Sequence, residues 1–94
     1  MGNNRRFHSG DIIQHFKRET LSETEKKTTK YLYKIIGIAT HTESKQILVI
    51  YQALYDEFSI FARPYDSFFG KVDKKKYPNI KQEYRLEKVK ESNI

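Results

Sequence analysis

The strongest constraint on this chain is a pair of apolar, β-branched and aromatic segments separated by one short polar turn. Tyr31 to Thr40 reads Tyr-Leu-Tyr-Lys-Ile-Ile-Gly-Ile-Ala-Thr, and Ile47 to Leu54 reads Ile-Leu-Val-Ile-Tyr-Gln-Ala-Leu. Such residues suit the pleated, half-buried surface of a sheet. His41-Thr42-Glu43-Ser44-Lys45 between them is a polar turn, so the two segments predict consecutive strands joined tightly. The second is almost continuously apolar, which suits a central position. Gly37, inside the first, predicts a bulge or a bend.

The flanks extend this pattern. Asp11 to Phe16 predicts a first short strand, and Lys17 to Lys30 a long polar loop in which Ser22 and Glu25 have capping-box spacing for one or two helical turns. After a turn at Asp56-Glu57, Phe58 to Arg63 alternates, with Phe58, Ile60 and Ala62 on one face and Ser59, Phe61 and Arg63 on the other. Pro64 ends that strand because it has no N–H to give a ladder. Tyr65 to Phe69 predicts one helical turn, closed by a left-handed Gly70. Asp73-Lys74-Lys75-Lys76 is expected as a solvated loop, Pro78-Asn79 as a turn, and Gln82 to Val89 as a last strand, with Tyr84 and Leu86 on one face.

Ninety-four residues make one domain, expected over residues 10–90, with a flexible arm at 1–9 and a tail at 91–94. Strand, long loop, three tightly connected strands, helical turn, strand: this order resembles the Src-homology-3 fold. The expected fold class is therefore all-β, a small five-stranded SH3-like barrel with one short helical turn before the last strand.

Composition narrows the function. With no cysteine, disulfides and thiolate chemistry are excluded. The longest apolar stretch, Ile47 to Tyr51, is too short to cross a bilayer, and the opening residues lead into no apolar run, so a cytoplasmic protein without a membrane partner is expected. The net charge of +6 is uneven: residues 1–30 carry +3, residues 31–70 carry −1 and residues 71–94 carry +4. The excess lies in the flanks, which predicts solvated tails, or nucleic-acid binding that is weak and nonspecific.

From Tyr33 onward the residues resemble a bacterial family catalogued as domain of unknown function 1653. Tyr33 to Ala39, His41, Glu43, Val49 to Tyr55, Arg63-Pro64 and Phe68 carry the resemblance, and His15-Phe16-Lys17 is similar to the family's opening strand. It covers roughly residues 12–72. The chain departs from the pattern at Arg18, where the family usually turns on glycine, in the longer segment to Lys30, at Phe61, often a tryptophan, and at Thr40, commonly an arginine. The resemblance implies a compact bacterial cytoplasmic domain and supplies no catalytic residue.

The three histidines have no metal-ligand spacing, so no metal and no cofactor are expected. An up-and-down strand order puts His15, Tyr31, Tyr55 and Phe58 at one end of the sheet. Asp11, His41, Lys45, Arg63 and Tyr65 fall at the other, where His41, Glu43, Arg63 and Asp66 are expected to converge; His41, Glu43, Arg63 and Tyr65 are the candidate ligand-binding residues. Arg63 offers a planar fork for a carboxylate or phosphate, or a bond to a carboxylate that holds the helical turn. Gln52 marks an outward face that Leu48 and Ile50 share. Ile36 is assigned to it with Leu32 and Lys34, and Phe61 with Ser59 and Arg63. Ile36, Leu48, Ile50 and Phe61 are thus the expected interface, for a protein partner or a second copy in a homodimer. The functional expectation is a non-enzymatic binding or interaction module. The alternatives are a nucleic-acid accessory protein, using basic flanks and exposed aromatics, and a small enzyme or anion-binding protein around His41 and Arg63.

Overall fold

A computed structural model of the chain describes residues 7–89; the first six residues of the arm expected at 1–9, and the tail expected at 91–94, lie outside the described residues. Five strands form one antiparallel sheet: β1 (Ile12–His15), β2 (Leu32–Thr40), β3 (Ile47–Ala53), β4 (Ile60–Pro64) and β5 (Leu86–Lys88), in the order β4-β3-β2-β1-β5. Among the described residues, helix is limited to α1 (Tyr65–Phe68) and two 3-10 turns, Phe16–Thr20 and Glu25–Lys27. The first of these was not foreseen from sequence. It starts because the His15 side chain caps it, Nδ1 accepting from the Lys17 amide at 3.1 Å.

The bulge predicted near Gly37 is present. Ile35 pairs with Tyr51 and Gly37 with Ile50, which leaves Ile36 as the extra residue. Alternation does the rest: Val49, Tyr51 and Ala53 of β3 are buried, and Leu48, Ile50 and Gln52 between them are only partly covered.

The main core is Ile13, Ile35, Val49, Tyr51, Phe68 and Leu86, with Phe7, Tyr33 and Phe69 packed against it. Phe7 belongs to the segment expected as an arm. Its ring lies 5.3 Å from Phe68 and 5.5 Å from Phe69, and the Gly10 amide, at a left-handed φ of 94°, bonds Ile35 O at 2.8 Å.

The sheet is open, since β4 and β5 are not paired. The gap is bridged by a relay. Arg63 Nε donates to Ser67 Oγ (3.4 Å), the Gly70 amide to Ser67 O (3.3 Å), the Arg85 amide to Gly70 O (2.9 Å) and the Phe16 amide to Arg85 O (3.0 Å). Gly70 is not left-handed as expected. The helical turn ends at Phe69 through i→i−3 bonds, which need no positive φ.

Residues 70–85 differ most from expectation. The last strand was expected over Gln82–Val89, but it is only Leu86–Lys88, preceded by a single bridge between Lys71 and Tyr84. Phe16, Val72 and Ile80 form a second small core, with Tyr77 against it. Polar side chains hold the segment down. Both Glu19 oxygens accept, at 2.8 Å, from the amides of Lys81 and Gln82. Buried Gln82 donates to Gln14 O (3.0 Å) and Tyr84 O (2.8 Å) and accepts from Gln14 Nε2 (3.1 Å). Lys74, expected in a solvated loop, turns back to the carbonyls of Ile80 and Gln82. In the long polar loop Arg18 is a staple, its Nη groups reaching Lys30 O (2.7 Å) and Lys26 O (2.6 Å). A glycine at that position would give the loop no such hold.

Candidate functional site

Strand register sorts the candidate residues into two surfaces. On the outer face, cross-strand partners form three rows over β2, β3 and β4: Lys34–Gln52–Ile60, Gly37–Ile50–Ala62 and Ala39–Leu48–Pro64. Seven of these nine residues are apolar or glycine, and Ile60 is 61% exposed. Leu48 and Ile50 lie on this face as expected, and Ile36 stands exposed at its bulged margin.

Phe61 does not. It pairs with Tyr51, and Arg63 with Val49, so both side chains turn to the inner face, while Ile60 stands beside Gln52 and Ala62 beside Ile50. The alternation within β4 is as expected, but the polar residues Ser59 and Arg63 do not mark its outward face. A shift of one residue in register exchanges the two faces of a strand, and register is set by the turn. Here the turn between β3 and β4 has left-handed Asp56 (φ 53°) and Phe58 (φ 56°).

The inner face is lined with rings. From β1 to β4 the contacts run His15–Tyr31 (5.8 Å), Tyr31–Tyr55 (5.7 Å), Tyr55–Tyr33 (5.6 Å), Tyr33–Tyr51 (5.5 Å) and Tyr51–Phe61 (5.7 Å). The hydroxyls of Tyr33 and Tyr55 share a hydrogen bond of 2.6 Å. Burial and then that bond push the Tyr33 hydroxyl above its ordinary pKa, so it stays protonated. An open cleft of about 470 Å³ lies along the inner side of the β3–β4 hairpin, lined by Ala53, Tyr55, Asp56, Glu57, Ser59 and Phe61. Phe61 is 44% exposed. Tyr31 and Phe58 carry left-handed backbone, φ 67° and 56°, which bulky residues rarely adopt and which the packing around them must hold.

His15 shows the electrostatics of the seam between β4 and β5. Burial, then the positive charges of Lys17, Arg85 and Arg63, lower its pKa from 6.5 to about 4. The ring is therefore neutral near pH 7, with Nδ1 an acceptor and the proton on Nε2.

The other proposed ligand set is dispersed. His41 Nδ1 accepts from the amides of Glu43 and Ser44, both at 3.2 Å, so His41 caps its own turn. Tyr65 packs on Phe69 (4.7 Å) and, with Gln46, Ile47 and Asp66, lines a hollow of about 340 Å³ that neither His41 nor Arg63 reaches. Arg63 holds the helical turn through the Ser67 hydroxyl, not through the carboxylate expected from sequence. His15, Tyr31, Tyr33, Tyr55 and Arg85 were not among the candidates. The signal for His15 was available, since it has the parity of buried Ile13; Arg85 comes near only through the relay at Gly70.

No curated protein and no solved structure matches the chain. The family model described as "Protein of unknown function (DUF1653)" matches residues 11–88, which span all five strands, and the chain belongs to that family.

Proposed function

We propose that this protein is a small, non-enzymatic binding module of Src-homology-3-type topology that uses the outer face of β2, β3 and β4 to dock a protein partner. The strand order β5-β1-β2-β3-β4, a long first loop and a helical turn before the last strand support that topology, as does the relay from Arg63 to Phe16 across the gap.

The observation that carries the docking surface is the three-row register. Gly37, Ala39 and Ala62 make flat ground on which Leu48, Ile50 and Ile60 stand, and no described residue packs over Ile60. Fully burying an aliphatic side chain of that size contributes roughly 1.5–3 kcal/mol before association costs. The partner that matches the surface without further assumptions is a second copy, sheet face against sheet face about a twofold axis. Sedimentation across a concentration series is the test, on the wild type and on Ile60→Lys. A dimer that Ile60→Lys dissociates without lowering the melting temperature of the monomer supports the reading. A wild type that stays monomeric throughout overturns self-pairing.

A further inference from the structure

The inner seam carries a second surface, independent of the outer face. On β4, Phe61 and Arg63 point inward two residues apart, about 6.6 Å along a strand. One presents a half-exposed ring and the other a guanidinium. That spacing is comparable to the separation of base and phosphate across a ribose.

Two more cations lie near the seam: Arg85, whose side chain lies against Gly70, and Lys17. The relay through Ser67 and Gly70 brings Arg85 to the far side of the seam, beside Phe16, and Lys17 follows on the same 3-10 turn. Each of the three lies within electrostatic reach of the His15 ring and lowers its pKa, after burial. None has a carboxylate partner among the described residues, where the ion pairs are His8–Asp11, Lys30–Glu25, Lys71–Glu83 and Lys88–Asp11. The acids two residues from Lys17 and Arg85 along the chain are engaged elsewhere: Glu19 binds the amides of Lys81 and Gln82, Glu87 those of Glu83 and Tyr84, and Glu83 pairs with Lys71. Asp66, three residues after Arg63, lines the hollow beside Tyr65 and forms no ion pair with Arg63. Arg63 spends only Nε on Ser67, so its Nη groups remain available. Neutral His15 adds an Nε2–H with no partner among the described residues.

We propose that the seam between β4 and β5 binds a nucleotide unit, its phosphate held by Arg63, Arg85 and Lys17 and its base laid on Phe61. Guanidinium forks suit phosphate oxygens, and an exposed ring is a stacking platform. The acids at the hairpin tip, Asp56 and Glu57, set the orientation, because they repel a phosphate placed at their end of the cleft. A free nucleotide and one residue of a single strand present the same chemistry.

The test is calorimetric titration of the full chain with AMP, adenosine, inorganic phosphate and a short single-stranded oligonucleotide. AMP is expected to bind saturably and more tightly than adenosine or phosphate. Arg85→Gln and Lys17→Gln replace exposed side chains and should leave the melting temperature unchanged. Each should weaken AMP by at least about tenfold, as expected for one charge-assisted hydrogen bond. Phe61→Ala should weaken AMP and leave phosphate binding as it was. Ile60→Lys, on the opposite face, should leave AMP binding intact, which separates this site from the docking surface. An oligonucleotide that outcompetes AMP at the same residues identifies a strand as the source, and one that binds no better identifies the free nucleotide. Absence of saturable binding by AMP and by the oligonucleotide overturns the proposal. So does binding that survives Arg85→Gln, Lys17→Gln and Phe61→Ala together.

Discussion

Ile35, Val49 and Tyr51 are buried by strands that alternate, each ladder bond matched by a neighbouring strand. Val72 and Ile80 are buried by a stretch with one isolated bridge and almost no ladder. There backbone bonds are confined to turns and a few isolated pairs such as Val72 N–H to Glu83 O, and side chains do much of the rest: Glu19 takes two amides, Gln82 gives to carbonyls of β1 and of the approach to β5, and Lys74 closes the loop on itself. Buried backbone groups must be paired in either case. The strands meet that demand with a pattern repeated over many residues, and the 70–85 segment with particular polar side chains, Glu19, Asp73, Lys74, Gln82 and Glu87. Damage to the first should therefore spread, and damage to the second should stay local.

Phe68→Ala should have the largest effect. Phe68 is fully buried, and its ring touches those of Phe7, Tyr51 and Phe69, so α1, β3 and the N-terminal segment all lose a packing partner. A loss of about 3–5 kcal/mol is expected in denaturant unfolding. A loss near the roughly 0.5 kcal/mol of a surface substitution would show that α1 is not part of the cooperative core.

Gln82→Leu keeps the volume and removes the polar plug. Gln14 O and Tyr84 O lose their side-chain donor, at a cost of about 1–3 kcal/mol. The sharper readout is where protection is lost. The amide of Val72, bonded to Glu83 O, and that of Ile80 should exchange faster, while those of Ile35 and Val49 keep their rates. Equal acceleration in both sets would mean that the two regions open as one unit, and the distinction drawn above would fail.

The same contrast explains what was legible in the sequence. The four longer strands, the bulge by Gly37 and the helical turn after Pro64 follow from residue preferences that act locally. The face of β4 does not, because Phe61 and Arg63 are turned inward by register across the hairpin, a property of the turn and not of the strand. The 70–85 segment was misread for a related reason. Lys74 and Gln82 look like solvent-facing residues, and their role appears only when partners as distant in sequence as Gln14 are brought beside them. The seam was hidden in the same way: nothing within Arg63-Pro64 or Tyr84-Arg85 indicates that the relay through Ser67 and Gly70 brings the two arginines toward one histidine.

A further effect is expected from acid, and it reports on that seam. His15 has a folded pKa of about 4 against an ordinary 6.5, lowered first by burial and then by Lys17, Arg85 and Arg63. Between these values the unfolded chain takes up a proton that the folded chain refuses. Stability therefore rises with pH between these values: His15's contribution is fully present above about pH 6.5 and is lost as pH falls toward 4. Carboxylates titrate in part of the same window, so the informative quantity is a difference. Subtracting the denaturation curve of His15→Phe from that of the wild type should leave a slope between pH 4 and 6.5 and a flat line above. Phenylalanine keeps a ring for Phe16 and Tyr31 to pack against, so the change above pH 6.5 should be confined to the lost cap on Lys17. Raising the salt concentration should shrink the part of the slope due to the three cations and spare the part due to burial. A difference that stays flat from pH 4 to 7 would mean that His15 is freely solvated and that the charges of Lys17, Arg63 and Arg85 do not converge on it.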